Sequence, residues 1–558
     1  MTNSDILKKH FGFTAFKDIQ EEVINNLLAG RSSLCLMPTG GGKSIIYQVT
    51  GLQSGKMTIV ISPLLALMKQ QNKRLADQGI NVLSYNSSIG DLKAQFSKLR
   101  KSFTPTDSPQ FLFVSPEKVF SDGYLEYVLK KYRSRIGLIV VDEAHCISQW
   151  GHTFRPAYKT IPDFISNIFG ESKTPPVLCL TATLNPNDKS EICGDLGIKD
   201  KDIFISKFLI RNNLHLSILE QVDSNDEKKV QLLEILNKHR NEKIIVYTHI
   251  KARGYGTREM TKSFKELGFN CHYFDADMQD NEKLSILEQF ETGAVKIIFA
   301  TSAFGMGIDI PDIRVVVHYL VPESIEQYYQ EVGRAGRDGN AAFGYLLFSE
   351  TNFKVRRDLI KKSLLKPERI KEIYADTIKP TSNSGAIKMK NAPREIDTSE
   401  KIYSLSRMDI KEDNSEMIVF LFLLKSNVLN LHGKGFQFFD CFENKGSDVY
   451  SSMRDAAING MVTRIAKKLN KSIEQTNHEI FVMYDHDEIV ITKAPINVLN
   501  YTVRHPLSDE MVTTIHENLK VRMENRLANF EKLVSFINLR LDPIHIISNH
   551  LGISERES

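Results

Sequence analysis

The sequence lacks several features that would assign it to a specialised class of protein. Its 558 residues include one tryptophan and six cysteines, and no two of these cysteines form a C-x-x-C pair. Such scattered cysteines predict reduced thiols rather than a disulfide framework or a zinc site. No apolar run approaches the ~20 residues that span a bilayer, and the N-terminus lacks the order of a signal peptide. We therefore expect a cytoplasmic protein with no membrane partner.

The sequence also lacks a strong excess of charge of one sign. It has 72 lysines and arginines against 68 aspartates and glutamates, which gives a net charge of +4. This balance neither requires nor excludes a nucleic-acid partner, so any such binding must come from local patches. Hydrophobic residues make up 42% and charged residues 25% of a chain that is long enough for three or four globular domains.

Short apolar segments alternate with longer segments that can be helical. The first series is SSLCLM, MTIVIS, FLFVS, IGLIVVD and PVLCLT, and the second is KIIVYT, CHYFDA, VKIIFAT, IRVVVHYL and GYLLFS. Apolar runs of this kind, rich in β-branched residues, are typical of buried parallel strands. The sequence therefore predicts two tandem α/β domains, residues 1–212 and 213–350.

The first apolar segment leads into the glycine-rich sequence MPTGGGKS. A strand, a loop and a helix in this order form a phosphate cradle. We expect Lys43 to neutralise the terminal phosphates of a nucleotide and Ser44 to ligate magnesium. The usual template has a glycine where this chain has Met37, so a tight turn beside a surface lysine is the alternative. The residues expected around the phosphates are Met37, Pro38, Thr39, Gly40, Gly41, Gly42, Lys43 and Ser44.

A pair of carboxylates follows a later apolar segment. The run IGLIVV ends in DEAH, which places Asp142 and Glu143 at the carboxyl end of a strand, where α/β sheets bind ligands. Asp142 suits the second magnesium contact, and Glu143 suits the general base that activates water. The alternative is an acidic helix N-cap.

Two arginines in the second predicted domain suit phosphate chemistry. The segment QEVGRAGRDG contains Arg334 and Arg337, which are spaced so that both can point from one helix turn toward a cleft. An arginine supplied across a domain boundary stabilises transition-state charge. Taken alone, either residue would be interpreted as a solvated arginine at a glycine-rich helix end.

Five segments together carry a resemblance to a known family. MPTGGGKS, VVDEAHCISQWGHTFRPAY, LTAT, ATSAFGMGID and YYQEVGRAGRDG resemble motifs I, II with its aromatic-rich loop, III, V and VI of RecQ-type superfamily two DNA helicases. The resemblance runs from about residue 11 to residue 349. It implies two RecA-like lobes with ATP and Mg²⁺ between them. It also favours a nucleotide site at MPTGGGKS, because the family commonly lacks the first template glycine.

The resemblance implies roles for further residues. Gln20 would read the adenine edge, and Lys17 would lie against its ring, where the family more often has arginine. Gly307 and Asp309 would touch nucleotide and DNA backbone. The residues that would couple ATP to lobe movement and DNA are His145, Gln149, Thr181, Thr183 and Gln330.

The segment CISQWGHTFRPAY is the main indication of the substrate class. Its aromatic rings and arginine can stack on unpaired bases, at ~1 to 3 kcal/mol per base. In RecQ-type enzymes this loop couples DNA binding to hydrolysis. The residues concerned are Trp150, His152, Phe154, Arg155 and Tyr158. The alternative is a hydrophobic plug under the loop.

The remaining third of the chain predicts a mixed α+β region. Residues 351–395 comprise a basic helix and a linker, and this helix either follows DNA phosphates or presents a solvated face. Residues 396–515 form an accessory module of predicted helices followed by HEIFVMYDHDEIVITK, which predicts two strands. Helices followed by a hairpin permit a winged helix. Residues 516–558 resemble the helical part of the RecQ zinc subdomain without its cysteines, so we expect no zinc.

Together these features predict an ATP-dependent DNA helicase. It would move on single-stranded DNA and unwind forked DNA in repair, recombination or genome defence, and only the resemblance implies 3′ to 5′ polarity. The alternatives are an RNA helicase, or a nucleic-acid-binding sensor or scaffold whose conformation ATP controls. The sequence identifies no protein partner.

Overall fold

The computed structural model describes most of the chain. The described residues are 1–63, 65–86, 92–147, 155–183, 186–209, 211–250, 255–275, 277–302, 304, 310–378, 402–406, 415–436, 441–456, 462–491, 497–539, 542–544 and 547. Among these residues, no helix is both long enough and apolar enough to cross a membrane.

The first lobe is a parallel sheet with helices on its faces. Its strands are β1 Ser33–Leu36, β2 Met57–Ile61, β3 Val82–Tyr85, β4 Phe111–Val114, β5 Ile136–Val141, β6 Val177–Thr181 and β7 Ile203–Ile205. Its helices are α1 Asn3–Ile6, α2 Gln20–Leu28, α3 Lys43–Ser54, α4 Leu65–Ala76, α5 Leu92–Ser102, α6 Pro116–Ser121, α7 Gly123–Lys131, α8 Ile161–Phe169 and α9 Pro186–Leu196. The strand order is β3-β4-β2-β5-β6-β1-β7. Every residue of β1, β2, β4 and β6 is buried, which explains their continuous apolar runs.

The second lobe repeats this design. Its strands are β8 Leu214–Ile218, β9 Lys243–Tyr247, β10 Cys271–Phe274, β11 Ile297–Ala300, β12 Ile313–His318 and β13 Ala342–Leu346. Its helices are α10 Asn225–Lys238, α11 Thr257–Glu266, α12 Asp280–Glu291 and α13 Ile325–Val332. The strand order is β10-β11-β9-β12-β13-β8, with parallel pairing. The prediction of two parallel-sheet lobes is confirmed, and their boundary near residue 212 stays a prediction.

The C-terminal region is mixed, as expected. Its helices are α14 Glu350–Lys362, α15 Pro367–Ile373, α16 Ser415–Lys425, α17 Asp448–Ala456, α18 Val462–Lys468, α19 Ile473–Asp485 and α20 Asp509–Leu539. Its strands are β14 Ile402–Ser406, β15 Leu429–Phe436, β16 Cys441–Glu443, β17 Ile489–Ile491 and β18 Asn497–Val503. They form two antiparallel sheets, β14-β18-β15 and β16-β17.

One secondary-structure prediction in this region is wrong. The segment HEIFVMYD, expected to be a strand, lies in α19. This helix begins at a capping box in which Ser472 and Gln475 satisfy each other's backbone N–H groups. Its buried residues include Ile480, Phe481 and Tyr484, which are spaced for one helix face. Because the segment is only eight residues long, its apolar run did not distinguish a strand from a buried helix turn.

The long helix α20 packs on the second lobe and on α14. Arg526 Nε lies 2.6 Å from Glu323 Oε1, and Arg357 Nε lies 2.6 Å from Glu531 Oε1. The neighbouring Arg356 is buried and donates through Nε and Nη2 to the Val321 carbonyl at 2.9 and 2.7 Å. The two adjacent arginines of the basic helix therefore serve contacts within the protein.

Helix α19 and strand β15 pack on the first lobe. The Tyr124 ring of α7 lies 5.6 Å from Phe481 and 5.4 Å from Tyr484. The Phe96 ring of α5 lies 5.4 Å from Phe436. Four of these rings are under 6% exposed and Tyr484 is 7% exposed, so the contact buries a continuous apolar surface. We call this aromatic cluster the dock.

Polar contacts surround the dock. Lys434 Nζ donates to Glu126 Oε2 at 2.8 Å and to the Val119 carbonyl at 3.1 Å. The backbones also meet closely, because a Cβ added to Gly123 would lie 2.3 Å from the Lys434 carbonyl oxygen. The C-terminal region therefore contacts both lobes, through the dock on the first and through α20 on the second.

Candidate functional site

The phosphate loop follows β1 and leads into α3. Gly40 and Gly42 have φ of 77° and 82°, which is the left-handed region that glycine adopts without strain. Lys43 Nζ donates to the Met37 carbonyl at 3.3 Å, and both Lys43 and Ser44 are half-buried at the start of α3. A helix N-terminus presents unpaired N–H groups to an anion, so the loop has the geometry of a phosphate cradle.

Gln20 holds this loop from α2. Its Nε2 donates to the Gly42 carbonyl at 3.0 Å and the Gly41 carbonyl at 3.3 Å. Its Oε1 accepts from the Lys17 backbone N–H at 2.8 Å. The Gln20 side chain therefore joins the segment expected to bind adenine to the phosphate loop, whereas the Lys17 side chain is exposed.

Asp142 and Glu143 lie at the carboxyl end of β5. Ser62 Oγ, which follows β2, donates to Asp142 Oδ2 at 3.0 Å. Burial and the neighbouring charge of Glu143 raise the pKa of Asp142 to about 6, against the opposing charge of Lys43. A cation would stabilise the buried Asp142 carboxylate, and the oxygen atoms of Ser44 and Asp142 are the type of ligand that Mg²⁺ prefers.

A chain of polar contacts leads from Glu143 to the second lobe. His145 Nδ1 lies 3.4 Å from Glu143 Oε2 and 3.0 Å from Thr181 Oγ1. Thr181 Oγ1 donates to the Thr183 carbonyl at 2.7 Å. Gln330 Nε2, from α13, donates to Thr183 Oγ1 at 3.0 Å. The structure thus brings together four of the expected coupling residues, and Gln149 lies outside the described residues.

Residues 333–339 follow α13, and we call them the arginine turn. Its first carbonyl, that of Gly333, accepts from Thr39 Oγ1 of the phosphate loop at 3.0 Å. The Arg337 side chain passes 3.4 Å from where a Cβ on Gly40 would lie. Arg334 is 8% exposed. Both arginines therefore lie on the turn that meets the phosphate loop across the cleft.

Buried histidines support the helix that leads into this turn. Glu331 Oε2 of α13 lies 2.7 Å from His318 Nε2 and 3.4 Å from His249 Nε2. Burial acts to raise the pKa of Glu331, but the two histidines outweigh it and lower that pKa. Gln327 Nε2 donates to the other carboxylate oxygen at 3.0 Å. This network fixes α13 against the second sheet.

The aromatic-rich loop is described at its two ends, residues 146–147 and 155–158. Gln149, Trp150, His152 and Phe154 lie outside the described residues, as do Gly307 and Asp309 of the later motif. Arg155 Nη1 lies 3.7 Å from Glu117 Oε1.

Tyr158 corrects one expectation for this loop. It is fully buried, and its hydroxyl donates to the Asp142 carbonyl at 2.8 Å. Tyr158 is therefore not placed to stack on a base. Instead it ties the end of the loop to the strand that carries the carboxylates.

Sequence reasoning missed several residues of the site. Ser62 could have been found, because it directly follows the buried strand β2 at its carboxyl end. Arg211 and Asn213 lie between the lobes and contact the arginine turn. Nothing in their local sequence pattern indicates this role, because the contacts join residues more than a hundred positions apart.

Two protein families match this chain. The family described as DEAD/DEAH box helicase matches residues 17–192, and the family described as Helicase conserved C-terminal domain matches residues 227–339. The first match contains the phosphate loop and the carboxylate pair. The second ends at the last residue of the arginine turn.

Curated relatives match both lobes. The ATP-dependent DNA helicase RecQ of Bacillus subtilis is 35% identical over 361 residues, which is 64% of this chain and 58% of that protein. The Probable ATP-dependent DNA helicase RecS of the same organism is 32% identical over 372 residues, 66% of this chain and 71% of that protein. The Putative ATP-dependent RNA helicase R290 of Acanthamoeba polyphaga mimivirus is 34% identical over 363 residues, 64% of this chain and 62% of that protein.

The chain therefore spans less than two thirds of the RecQ and R290 relatives. Among solved structures, the DUF1998 helicase MrfA bound to DNA is similar in fold, with a TM-score of 0.52 and 18% identity over 62% of this chain and 51% of that chain.

Two RecA-like lobes with a phosphate loop, a DEAH carboxylate pair and an arginine turn at one cleft define a superfamily two helicase. The match to RecS, at 32% identity over 71% of that relative, identifies the family within this superfamily. The chain belongs to the RecQ-type family of these helicases.

Proposed function

We propose that the protein is an ATP-dependent DNA helicase that moves along a single strand and separates duplexes. The cross-lobe cleft is the observation that carries this proposal. There, Thr39 contacts the Gly333 carbonyl and Gln330 contacts Thr183, so groups from both lobes surround one phosphate loop. The names of the RecQ and RecS relatives, both DNA helicases, support DNA as the substrate.

The phosphate loop supplies the nucleotide contacts in this proposal. N–H groups at the start of α3 would bind the phosphates, and Lys43 would neutralise their terminal charge. Gln20 and Lys17 would bind adenine beside the loop. Ser44 and Asp142 would hold Mg²⁺, which neutralises phosphate charge when it is bound.

Glu143 would take a proton from the attacking water. Its neighbour His145 is fixed by Thr181, so the ring is oriented beside the base. Arg334 and Arg337 would stabilise the charge that develops on the transferred phosphoryl group. Since these arginines belong to the other lobe, hydrolysis would require the two lobes to be close together.

DNA would control this chemistry through the aromatic-rich loop. Trp150, His152, Phe154 and Arg155 would contact unpaired bases. The Tyr158 hydroxyl reaches the Asp142 backbone, so a shift at the end of this loop would act directly on the strand that carries Asp142 and Glu143.

Two alternatives remain as outcomes of a test. The name of the R290 relative favours an RNA helicase, and a scaffold would bind ATP and DNA without rapid turnover. We also propose 3′ to 5′ polarity, a role in repair, recombination or genome defence, a cytoplasmic location and a C-terminal region without zinc.

Strand separation distinguishes these functions. Duplex substrates with a 3′ tail, a 5′ tail or no tail, made of DNA or RNA, are incubated with protein, Mg²⁺ and either ATP or a non-hydrolysable analogue. We expect ATP-dependent separation of the 3′-tailed DNA duplex, and none with Glu143→Gln. Separation of the RNA duplexes alone would establish an RNA helicase. ATP and DNA binding without separation or hydrolysis would establish a sensor or scaffold.

A further inference from the structure

The linker between the lobes, residues 206–213, runs along the nucleotide cleft. The structure describes all of it except residue 210. At its start, the Ser206 backbone N–H donates to the Leu36 carbonyl at 2.9 Å, next to the phosphate loop. Further on, the Tyr329 hydroxyl of α13 donates to the Leu209 carbonyl at 2.5 Å. The linker therefore contacts elements of both lobes that border the cleft.

Arg211 of this linker contacts the arginine turn. Its Nη2 donates to the Gly333 carbonyl at 2.7 Å and to the Ala335 carbonyl at 2.8 Å. These carbonyls belong to the residues on either side of Arg334. One guanidinium thus fixes the backbone on both sides of a residue expected to contact phosphate.

Asn213 holds the next part of the turn in the same way. Its Nδ2 donates to the Gly336 carbonyl at 2.8 Å and to the Asn340 carbonyl at 2.7 Å. Gly336 has a φ of 62°, and its N–H donates to the Ile313 carbonyl at 2.8 Å. Hydrogen bonds from the linker on one side and to β12 on the other therefore hold the backbone that leads into Arg337.

Arg211 also carries positive charge into the cleft. Its Nη1 is buried and has no hydrogen-bond partner within the described structure. Burial, followed by the nearby charge of Arg337, lowers the pKa of Arg211 to about 10. The like charges of Arg211 and Arg337 repel each other, and a phosphate bound in the loop would relieve that repulsion.

We propose that Arg211 is a positioning residue for the arginine turn: it sets the backbone around Arg334 so that Arg334 and Arg337 face the phosphates across the cleft. This inference rests on the proposed function, because it takes the ligand of the cleft to be ATP. A lysine in its place would keep the charge but lose the planar group that fixes both carbonyls. The role therefore depends on the guanidinium and not on charge alone.

The chain offers a matched control on the same turn. Arg314 of β12 contacts the end of the turn away from Arg334, where its Nη2 donates to Asp338 Oδ2 at 2.6 Å and its Nη1 donates to the Ala341 carbonyl at 3.2 Å. Arg314→Lys therefore perturbs the far end of the turn by the same chemical change. It leaves the Gly333 and Ala335 carbonyls untouched.

The experiment compares wild type, Arg211→Lys, Arg211→Gln and Arg314→Lys. For each protein we measure kcat and KM for ATP with saturating single-stranded DNA, the affinity for ADP and the melting temperature. We expect both Arg211 variants to lower kcat by about tenfold or more while KM changes by less than about threefold, since the turn acts in the transition state. ADP affinity should be unchanged because the first lobe holds it. Arg314→Lys should keep kcat within about twofold of wild type.

The outcomes separate this inference from the proposed function. A wild-type protein without DNA-stimulated hydrolysis would contradict the proposed function and this inference with it. With an active wild type, an unchanged kcat in Arg211→Lys, or equal losses in Arg211→Lys and Arg314→Lys, would overturn the inference alone. Misfolding or loss of ADP affinity in both Arg211 variants would also overturn it, because Arg211 would then support the fold.

Discussion

The contacts between the two lobes differ in kind from the contacts between the C-terminal region and the lobes. Across the cleft, the side-chain contacts of Thr39 with Gly333 and of Gln330 with Thr183 are single hydrogen bonds. Each such bond contributes only ~1 kcal/mol net. The dock instead buries aromatic rings from α5, α7, β15 and α19. Truncating one such ring typically costs ~3 to 5 kcal/mol.

This difference indicates which contacts break during a reaction cycle. Polar contacts that are individually weak can form when nucleotide binds and separate when product leaves. Buried aromatic packing cannot be exchanged in this way at low cost. We therefore expect the cleft to open and close while the dock stays formed. The predictions below test each side of this comparison.

The largest effect should follow from changing the chemistry of the cleft. Glu143→Gln removes the base but no phosphate or magnesium contact, so hydrolysis should fall by at least ~10²-fold while ATP still binds. The measurement is DNA-stimulated ATP turnover together with ATP affinity. Glu126→Gln, at the edge of the dock, is the control, because it makes the same chemical change away from the cleft. Near-normal turnover in Glu143→Gln would place the active site elsewhere.

Breaking the dock should reduce stability rather than catalysis. Phe481→Ala removes a ring that is 4% exposed, so the free energy of unfolding should fall by ~3 to 5 kcal/mol. Chemical denaturation measures this loss. Leu284→Ala, on α12 at a residue that is 44% exposed, is the control and should stay within about 0.5 kcal/mol of wild type. A stability loss as small as the control's would show that the dock is not a permanent contact.

Changing the aromatic-rich loop should reduce only the coupling of DNA binding to ATP hydrolysis. Trp150→Ala combined with Phe154→Ala should leave basal hydrolysis within about twofold of wild type and remove most of its stimulation by single-stranded DNA, because base stacking contributes ~1 to 3 kcal/mol per base. ATPase assays across a DNA titration measure this. If stimulation survives and the melting temperature drops instead, the loop is a hydrophobic plug.

The smallest expected effect is that of a chelator on the C-terminal region. A structural zinc site needs four ligands, and Cys441 is the only cysteine beyond residue 350. His545 and His550 are five positions apart, which does not place them on one helix face. Chelator should therefore leave the melting temperature unchanged, and metal analysis of tag-free protein should find no stoichiometric zinc. One tightly held zinc per chain, lost together with stability, would contradict this prediction.

The two lobes were predictable because their strands are buried on both faces. Residues such as Ile59 and Val140 belong to continuous apolar runs that mark a parallel sheet directly in the sequence. The phosphate loop and the carboxylate pair were predictable for a related reason, since each follows such a run at its carboxyl end.

Other features depend on contacts between distant residues and leave no local pattern. Arg211 reaches carbonyls more than a hundred positions away, and the Tyr158 hydroxyl bonds to the backbone of the strand that precedes its own loop. The helix α19 was mistaken for a strand because a short apolar segment fits either structure until its packing partner is known. That partner, Tyr124, lies in the first lobe.

The central claim is that DNA controls ATP hydrolysis at the cleft between the lobes. The most direct test is the steady-state ATPase rate of the wild-type protein with Mg²⁺, measured without nucleic acid and with saturating single-stranded DNA. We predict a low basal rate that single-stranded DNA raises by at least about tenfold, as expected when a ligand completes a catalytic site by closing it. An equal rate with and without DNA would contradict the account.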